Sequence, residues 1–425
     1  MEFDNCHSGT LHMKNSKRFY VKKTLKKLLL RLYKIMVRIF PLKKNKAMFM
    51  SNMGRNYSGN PRAVFEKMCE DPRFFKTKKI WAFNGDFFKN VKNQGKVLLP
   101  GGCRIVRYGG IRYYFHMATS GLWIFDTRQE PYLIKRKGNI YFQTWHGTPL
   151  KKLGLDIERM NMAGENRKIT GYKTSVIEES AKWDYLLAQN DFCEELFPKC
   201  FGFKGKVVKA GYPRNDRLAA AKKEDNTDTG KRKKILLYAP TWRDNEYLGD
   251  GFYKFPSCLD FLKLQRELSD DFCIIVKPHY LVKIRKDDIP ENCIKSGFIK
   301  ICGSETDIRK LYLRADGLIT DYSSVFFDYS VLERPVFFFC YDLETYRDEL
   351  RGFYLDFEKI VPGPISKTEE ELIKDIKDVF GNNGKDSPSF KAFKKKIESF
   401  KEWFNTYDDG HASERVLDVL AEERK

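Results

Sequence analysis

Between Asp4 and Glu66 the chain has no acidic side chain, although lysine and arginine are dense there. Elsewhere the two signs are mixed, so much of the formal net charge of +21 gathers near one end. A basic arm of this kind meets an anionic partner, either a membrane surface or nucleic acid. No apolar run reaches the ~18 residues a spanning helix needs. Lysines also interrupt the amino terminus too often for the apolar stretch of a secretory signal. The cytoplasmic side of a membrane is therefore the expected location. No Cys-x-x-Cys occurs among the ten scattered cysteines, and zinc-ligand spacings are absent. Cys273 and Cys340 lie in apolar runs and read as free thiols buried in strands, as a reducing compartment keeps them. The missing Gly-x-x-x-x-Gly-Lys-[Ser/Thr] loop argues against a P-loop ATPase, and the missing Gly-x-Ser-x-Gly elbow against an α/β-hydrolase. No Asp-x-Asp pair is available for a metal, so neither a metal nor another cofactor is expected.

What is there suits packed cores: of 425 residues, 42% are hydrophobic and 15% aromatic. That length exceeds what one core organises, which implies two domains. Residues 17–46 carry a helical pattern, ending at Pro41. Val21, Leu25, Leu28, Leu29, Leu32, Ile35, Met36 and Ile39 form an apolar stripe, with Lys23, Lys27, Arg31, Lys34 and Arg38 opposite. Such a basic amphipathic helix suits the plane of an anionic membrane. Nucleic acid fits less well, because the face is aliphatic where base stacking wants aromatics; we expect no nucleic-acid partner.

Beyond it, short apolar strands alternate with helical patterns, the signature of α/β layers. Strands are expected at 47–50, 79–83, 121–125 and 139–144, then at 234–239, 272–276, 317–320 and 335–340. A Gly/Asn-rich turn, 54–60, follows the first, with Pro61 opening a helix. The expected organisation is a membrane-associating segment (1–46), a Rossmann-like domain (47–221), a polar linker (222–234), a second Rossmann-like domain (235–385) and closing helices (386–425). Two Rossmann-like halves would face a cleft.

Ligands of open parallel sheets bind beyond the carboxyl ends of strands, and four strand-end loops carry suitable chemistry. In Gln143-Thr144-Trp145-His146-Gly147-Thr148-Pro149, His146 can take a proton from an alcohol near neutral pH. Gly147 permits close backbone approach, and Thr148 offers a hydroxyl. In Val276-Lys277-Pro278-His279-Tyr280, Lys277 and His279 can bind a pyrophosphate. In Thr320-Asp321-Tyr322-Ser323-Ser324, Asp321 and two serines precede a helical run; Ser323 and Ser324 serve either as a phosphate cradle or as simple N-caps. In Tyr238-Ala239-Pro240-Thr241-Trp242-Arg243, Thr241 and Arg243 can meet donor phosphates, while Trp242 stacks or packs.

These four motifs, with Gly211-Tyr212-Pro213-Arg214-Asn215-Asp216, Pro362-Gly363-Pro364 and Asp409-Gly410-His411-Ala412-Ser413-Glu414-Arg415, resemble the CDP-glycerol glycerophosphotransferases of teichoic acid and capsule synthesis. They run in family order over about residues 47–415. The resemblance implies a GT-B-like fold and attack of an acceptor hydroxyl on the β-phosphate of CDP-glycerol, releasing CMP. It makes His146 the candidate base. His279, Arg243, Asp321, Ser323 and Ser324 would hold the donor, with Arg214 also in the substrate site. The implied partners are CDP-glycerol or CDP-ribitol, a lipid-linked glycan or polyol-phosphate acceptor, and an anionic membrane surface, met peripherally from the cytoplasm. A GT-B glycosyltransferase using a nucleotide sugar is the alternative chemistry on the same architecture.

Overall fold

The computed structural model describes residues 24–424, apart from 95–98, 101, 159–167, 225–231, 244–245, 250–251, 257, 280, 304–305, 348–351 and 382–386. Seven strands make the first sheet: β1 (Lys43–Met50), β2 (Lys78–Phe83), β3 (Arg104–Arg107), β4 (Ser120–Phe125), β5 (Ile140–Gln143), β6 (Tyr185–Ala188) and β7 (Lys206–Lys209). Their order is β3-β2-β1-β4-β5-β6-β7, and every pairing is parallel. The central strand β4, Ser-Gly-Leu-Trp-Ile-Phe, is buried along its whole length, as helices on both faces of a parallel sheet require. Gly121 is needed there because a Cβ would stand 2.8 Å from the Lys43 carbonyl oxygen of β1.

The second half repeats the plan. β8 (Lys234–Tyr238), β11 (Phe272–Val276), β13 (Ile299–Ile301), β14 (Gly317–Thr320), β15 (Val336–Phe339) and β16 (Ile365–Ser366) form a parallel sheet in the order β13-β11-β8-β14-β15-β16. Three short strands, β9 (Tyr247–Gly249), β10 (Phe252–Lys254) and β12 (Val282–Lys283), make a small separate sheet that the sequence pattern does not announce. The chain is thus an α/β protein with two parallel sheets.

Three expectations need refinement. The stretch 222–234 is not a continuous linker: the helix Asp216–Glu224 enters it and β8 begins at Lys234, while 225–231 lie outside the described residues. The amino-terminal helix is described over 24–39, and 43–46 belong to β1 instead; residues 1–23, with Val21 and Lys23, lie outside the description. Finally, the two closing helices part company. Pro388–Phe404 packs Phe393, Ile397, Phe400 and Phe404 into the core of the second half. Ala412–Glu422 crosses back and buries Val416, Leu417 and Leu420 under the first sheet. Each such buried side chain contributes about 1.5–3 kcal/mol of transfer free energy.

The helix 24–39 has two apolar faces, not one. Tyr33 is fully buried, its ring 5.4 Å from that of Tyr114, and its hydroxyl accepts the backbone N–H of Ile134 at 3.0 Å. Leu29, Leu30, Met36 and Val37 dock beside it on the first half's core. Leu25, Leu28, Leu32, Ile35 and Ile39 stay 37–69% exposed. The nine cysteines among the described residues are all free; Cys340 is buried and Cys273 half-buried. Among the described residues no helix is long and apolar enough to cross a membrane.

Candidate active site

The carboxyl ends of both sheets open into one cavity of about 530 Å³, a size suited to a small-molecule ligand. The first half contributes Asn52, Asn56, Ser58, Asp126, His146 and Arg214 to its wall. Thr241, Trp242, Lys277, His279, Ser323 and Ser324 come from the second.

His146 stands two residues beyond Thr144, just past the end of β5. The backbone reaches it through Trp145 at φ 51°, a left-handed conformation that an L-residue keeps only where neighbours enforce it. Here the Trp145 N–H donates to Gln143 Oε1 at 3.0 Å, and Asn60 Nδ2 donates to the carbonyls of Thr144 and Trp145 at 3.1 and 3.3 Å. The imidazole is thereby fixed. Its Nδ1 lies 2.8 Å from the carbonyl oxygen of Asp126. A carbonyl can only accept, so Nδ1 carries the proton and Nε2 carries the lone pair. The ring is exposed to the cavity, yet the protein packed around it partly desolvates it and lowers its pKa below the ordinary histidine value; nearby Arg214 lowers it further.

His279 has the complementary tautomer. Its Nδ1 accepts the backbone N–H of Leu281 at 3.3 Å, so the neutral ring carries its proton on Nε2. Burial, with Lys151, Lys277 and His146 nearby, lowers its pKa to about 3. The two histidines are therefore not interchangeable: one presents an acceptor, the other a donor. Trp242 both packs and lines the wall, its ring 4.1 Å from Tyr253 and 6.0 Å from His279.

The serines line the cavity, and Ser324, at the start of the helix Val325–Tyr329, makes no side-chain capping bond. The simple N-cap reading does not apply to it. Gly147 lies tight against the second half: a Cβ there would lie 3.0 Å from Ser324 Oγ. Lys277 lines the cavity and donates to the Gly303 carbonyl at 3.0 Å. The buried Thr241 also lines it; its N–H is held by Asp321 at 2.9 Å, and its hydroxyl has no partner among the described residues.

Four residues singled out in the sequence sit differently from the expectation. Arg243 is buried behind the cavity wall, paired with Asp321 at 2.9 Å and with Asp342 at 2.7 and 3.0 Å, and faced by the rings of Tyr322, Tyr341 and Tyr346. Its guanidinium makes four bonds there, the fourth to the Thr241 carbonyl at 2.7 Å. Asp321 is likewise spent on Arg243 and the Thr241 N–H. Thr148 turns its hydroxyl to Gln189, inside the first half. Arg214 does line the cavity, but its guanidinium grips Asp328 of the second half with two bonds, at 3.0 and 2.8 Å. Arg62, which donates to Asp307 at 2.7 Å, makes a second bridge between the halves.

Sequence reasoning passed over Asp126, although it directly follows an expected strand. Asp126 is buried, accepts the Asn52 N–H at 2.8 Å, and burial raises its pKa to about 7. Lys151, quoted within a motif but given no role, lines the cavity too. Among the described residues no cluster of His, Cys, Asp and Glu has the geometry to hold a metal.

Most of the chain is similar to known proteins. The model of the CDP-glycerol:poly(glycerophosphate) glycerophosphotransferase family matches residues 32–422. The chain is 38% identical over 411 residues to the teichoic acid poly(glycerol phosphate) polymerase of Bacillus subtilis (strain 168), covering 94% of this chain and 52% of that protein. It therefore spans about half the length of that relative. It is 35% identical over 386 residues to the teichoic acid glycerol-phosphate transferase of Staphylococcus aureus, covering 89% of this chain and 93% of the relative. A structure of the wall teichoic acid polymerase TagF soaked with CDPG superposes with a TM-score of 0.79 at 31% identity, covering 100% of this chain and 99% of that one. The chain belongs to the CDP-glycerol:poly(glycerophosphate) glycerophosphotransferase family.

Proposed function

We propose that this protein transfers glycerol phosphate from CDP-glycerol to the hydroxyl of a membrane-borne teichoic-acid or capsule acceptor, releasing CMP. The observation that carries the reading is the pair of opposite tautomers at His146 and His279 on one cavity. His146 Nε2 takes the acceptor's proton as its oxygen bonds to the β-phosphorus. The bond from that phosphorus to the bridging oxygen breaks, and CMP leaves with that oxygen. The Nε2–H of His279, the Lys277 ammonium and the hydroxyls of Thr241, Ser323 and Ser324 hold the pyrophosphate and offset the charge that grows on it. Arg243 and Asp321 act from behind, keeping the Thr241 loop in place. The two parallel sheets that meet at the cavity are the halves of a GT-B-like fold, with the first half on the acceptor side and the second on the donor side.

The membrane reading rests on the helix 24–39. Its exposed residues Leu25, Leu28, Leu32, Ile35 and Ile39 recur at steps of three and four, flanked by the exposed Lys26, Lys27, Arg31, Lys34 and Arg38. Such a stripe lies in the interface of an anionic bilayer while the opposite face stays docked on the protein. The protein would thus work peripherally, on the cytoplasmic face. The reaction is tested by incubating the purified chain with CDP-glycerol and a lipid-linked acceptor analogue. CMP release with glycerol-phosphate increments on the acceptor supports it. A nucleoside diphosphate released from a nucleotide sugar would replace it with glycosyl transfer.

A further inference from the structure

Each sheet reverses its order of strands once, between β1 and β4 in the first half and between β8 and β14 in the second. At such a point the loops leaving neighbouring strands diverge to opposite faces and leave a crevice. The second crevice is the one that carries Thr241, Ser323 and Ser324. The first opens into the same cavity, and its wall is Asn52, Asn56 and Ser58 after β1 with Asp126 and Thr127 after β4. None of their side chains has a part in the phosphate chemistry above.

The first crevice is held rigid at a conformational cost. Asn52, Met53 and Gly54 follow one another at φ 45°, 55° and 78°, and of the three Met53 is the least at ease there. The strain is kept by surrounding bonds. Asn52 N–H donates to Asp126 Oδ1 at 2.8 Å, while Asn52 Nδ2 and Ser58 Oγ both donate to Asn56 Oδ1, at 3.2 and 2.9 Å. Gly54 sits so tightly that a Cβ would meet Asn84 N at 2.7 Å.

We infer that this crevice is the acceptor subsite, and that it binds the terminal polyol unit of the acceptor through its free hydroxyls. The inference rests on the proposed transfer reaction and names the residues that present the nucleophile. Position is the first argument. The Asp126 carbonyl holds the His146 ring, so the base stands at the crevice's edge, between it and the phosphate-binding groups of the second half. A hydroxyl held there reaches Nε2 and approaches the donor from the side away from CMP. Charge is the second. Amides, hydroxyls and a carboxyl line the crevice, and the cation that acts on Asp126, Arg214, is engaged by Asp328. A phosphodiester is repelled by Asp126 as it ionises, whereas a diol finds both donors and acceptors. The terminal unit of a polyol-phosphate chain, which bears free hydroxyls, is thereby selected over its internal units.

The test is calorimetric titration of the full chain with a synthetic glycerol-phosphate trimer, and separately with CDP. The trimer is used with its terminal diol free or methylated, against the wild type, Asp126→Asn and Ser58→Ala. Loss of a hydrogen bond or two predicts roughly tenfold weaker binding of the methylated trimer to the wild type, and of the free trimer to each variant. CDP affinity should stay within about twofold. Equal binding of the two trimers, or a parallel loss of CDP and trimer, overturns the assignment. If Asp126→Asn does not fold, as thermal melting would reveal, the methylated trimer and Ser58→Ala decide. A wild type that binds the free trimer selectively yet releases no CMP from CDP-glycerol would retire the reaction and leave the subsite standing.

Discussion

Arg214 and Asp328 come from opposite halves of the molecule and meet through two hydrogen bonds, at 3.0 and 2.8 Å, in a place where both are largely buried. Asn215 adds a third bond to the same carboxylate at 3.2 Å. Removing the guanidinium leaves a buried carboxylate without its counter-charge. We expect Arg214→Ala to lose about 3–5 kcal/mol of stability, read from chemical denaturation. It should also lose activity, because the relation of the two histidines depends on this joint. A variant of unchanged stability would mean that the pair is not what fixes the halves.

The tautomers make different demands at the two histidines. His146→Ala should lower single-turnover CMP release by at least about 100-fold, the usual contribution of a positioned base. Glutamine cannot restore a base, so His146→Gln should be as poor. In the role proposed for His279 the group needed is a neutral N–H donor, and His279→Gln should retain several times the activity of His279→Ala. Equal rates for those two variants would remove the donor role.

Acidity enters through two groups with opposite signs. As the proposed base, His146 would work in its neutral form, and desolvation lowers its pKa, so kcat/KM should hold as pH falls to the ordinary histidine value of 6.5 and decline only below it. Asp126 is raised from 3.8 to about 7 by burial, so the folded chain keeps a proton that the unfolded chain has lost. Stability therefore falls as pH rises from about 4 to about 7 and then levels off. Melting temperatures of Asp126→Asn and wild type should converge in acid and separate in the variant's favour toward pH 8.

On vesicles, the exposed stripe of the helix 24–39 should matter more than any single charge. Leu28→Glu with Ile35→Glu should abolish sedimentation with phosphatidylglycerol vesicles while leaving the far-UV spectrum intact, since both side chains point away from the docked face. Binding should weaken with salt, as the lysines and arginines contribute through screened attraction. Retention of the double variant on vesicles would place the contact elsewhere.

How much of this was legible depended on how local the determining forces were. β11, β14 and β15 are continuous apolar runs, and the sequence displays them directly. β3 (Arg-Ile-Val-Arg) and β7 (Lys-Val-Val-Lys) are edge strands whose charged ends point to solvent, and four residues of that kind carry no usable period. His146 and His279 were recognisable because a strand end limits where they can point. Arg243 has the same kind of strand-end position, but its fate is decided by Asp342 and by Tyr341 and Tyr346, about a hundred residues downstream. Asp126 could have been found by the strand-end rule that found His146; a lone carboxylate without a motif gave no reason to stop there.

The return of Ala412–Glu422 to the first sheet reaches beyond packing. Val416, Leu417 and Leu420 cover Tyr185, Val208 and their neighbours, and Asp216 accepts the N–H groups of Ala412 and Ser413 at 2.9 and 2.8 Å. During synthesis the amino-terminal half thus emerges with part of its core uncovered, and it stays so while some two hundred further residues are made. Its final packing waits on a segment made after the whole of the second sheet, so assembly of the earlier-made half is coupled to completion of the later one.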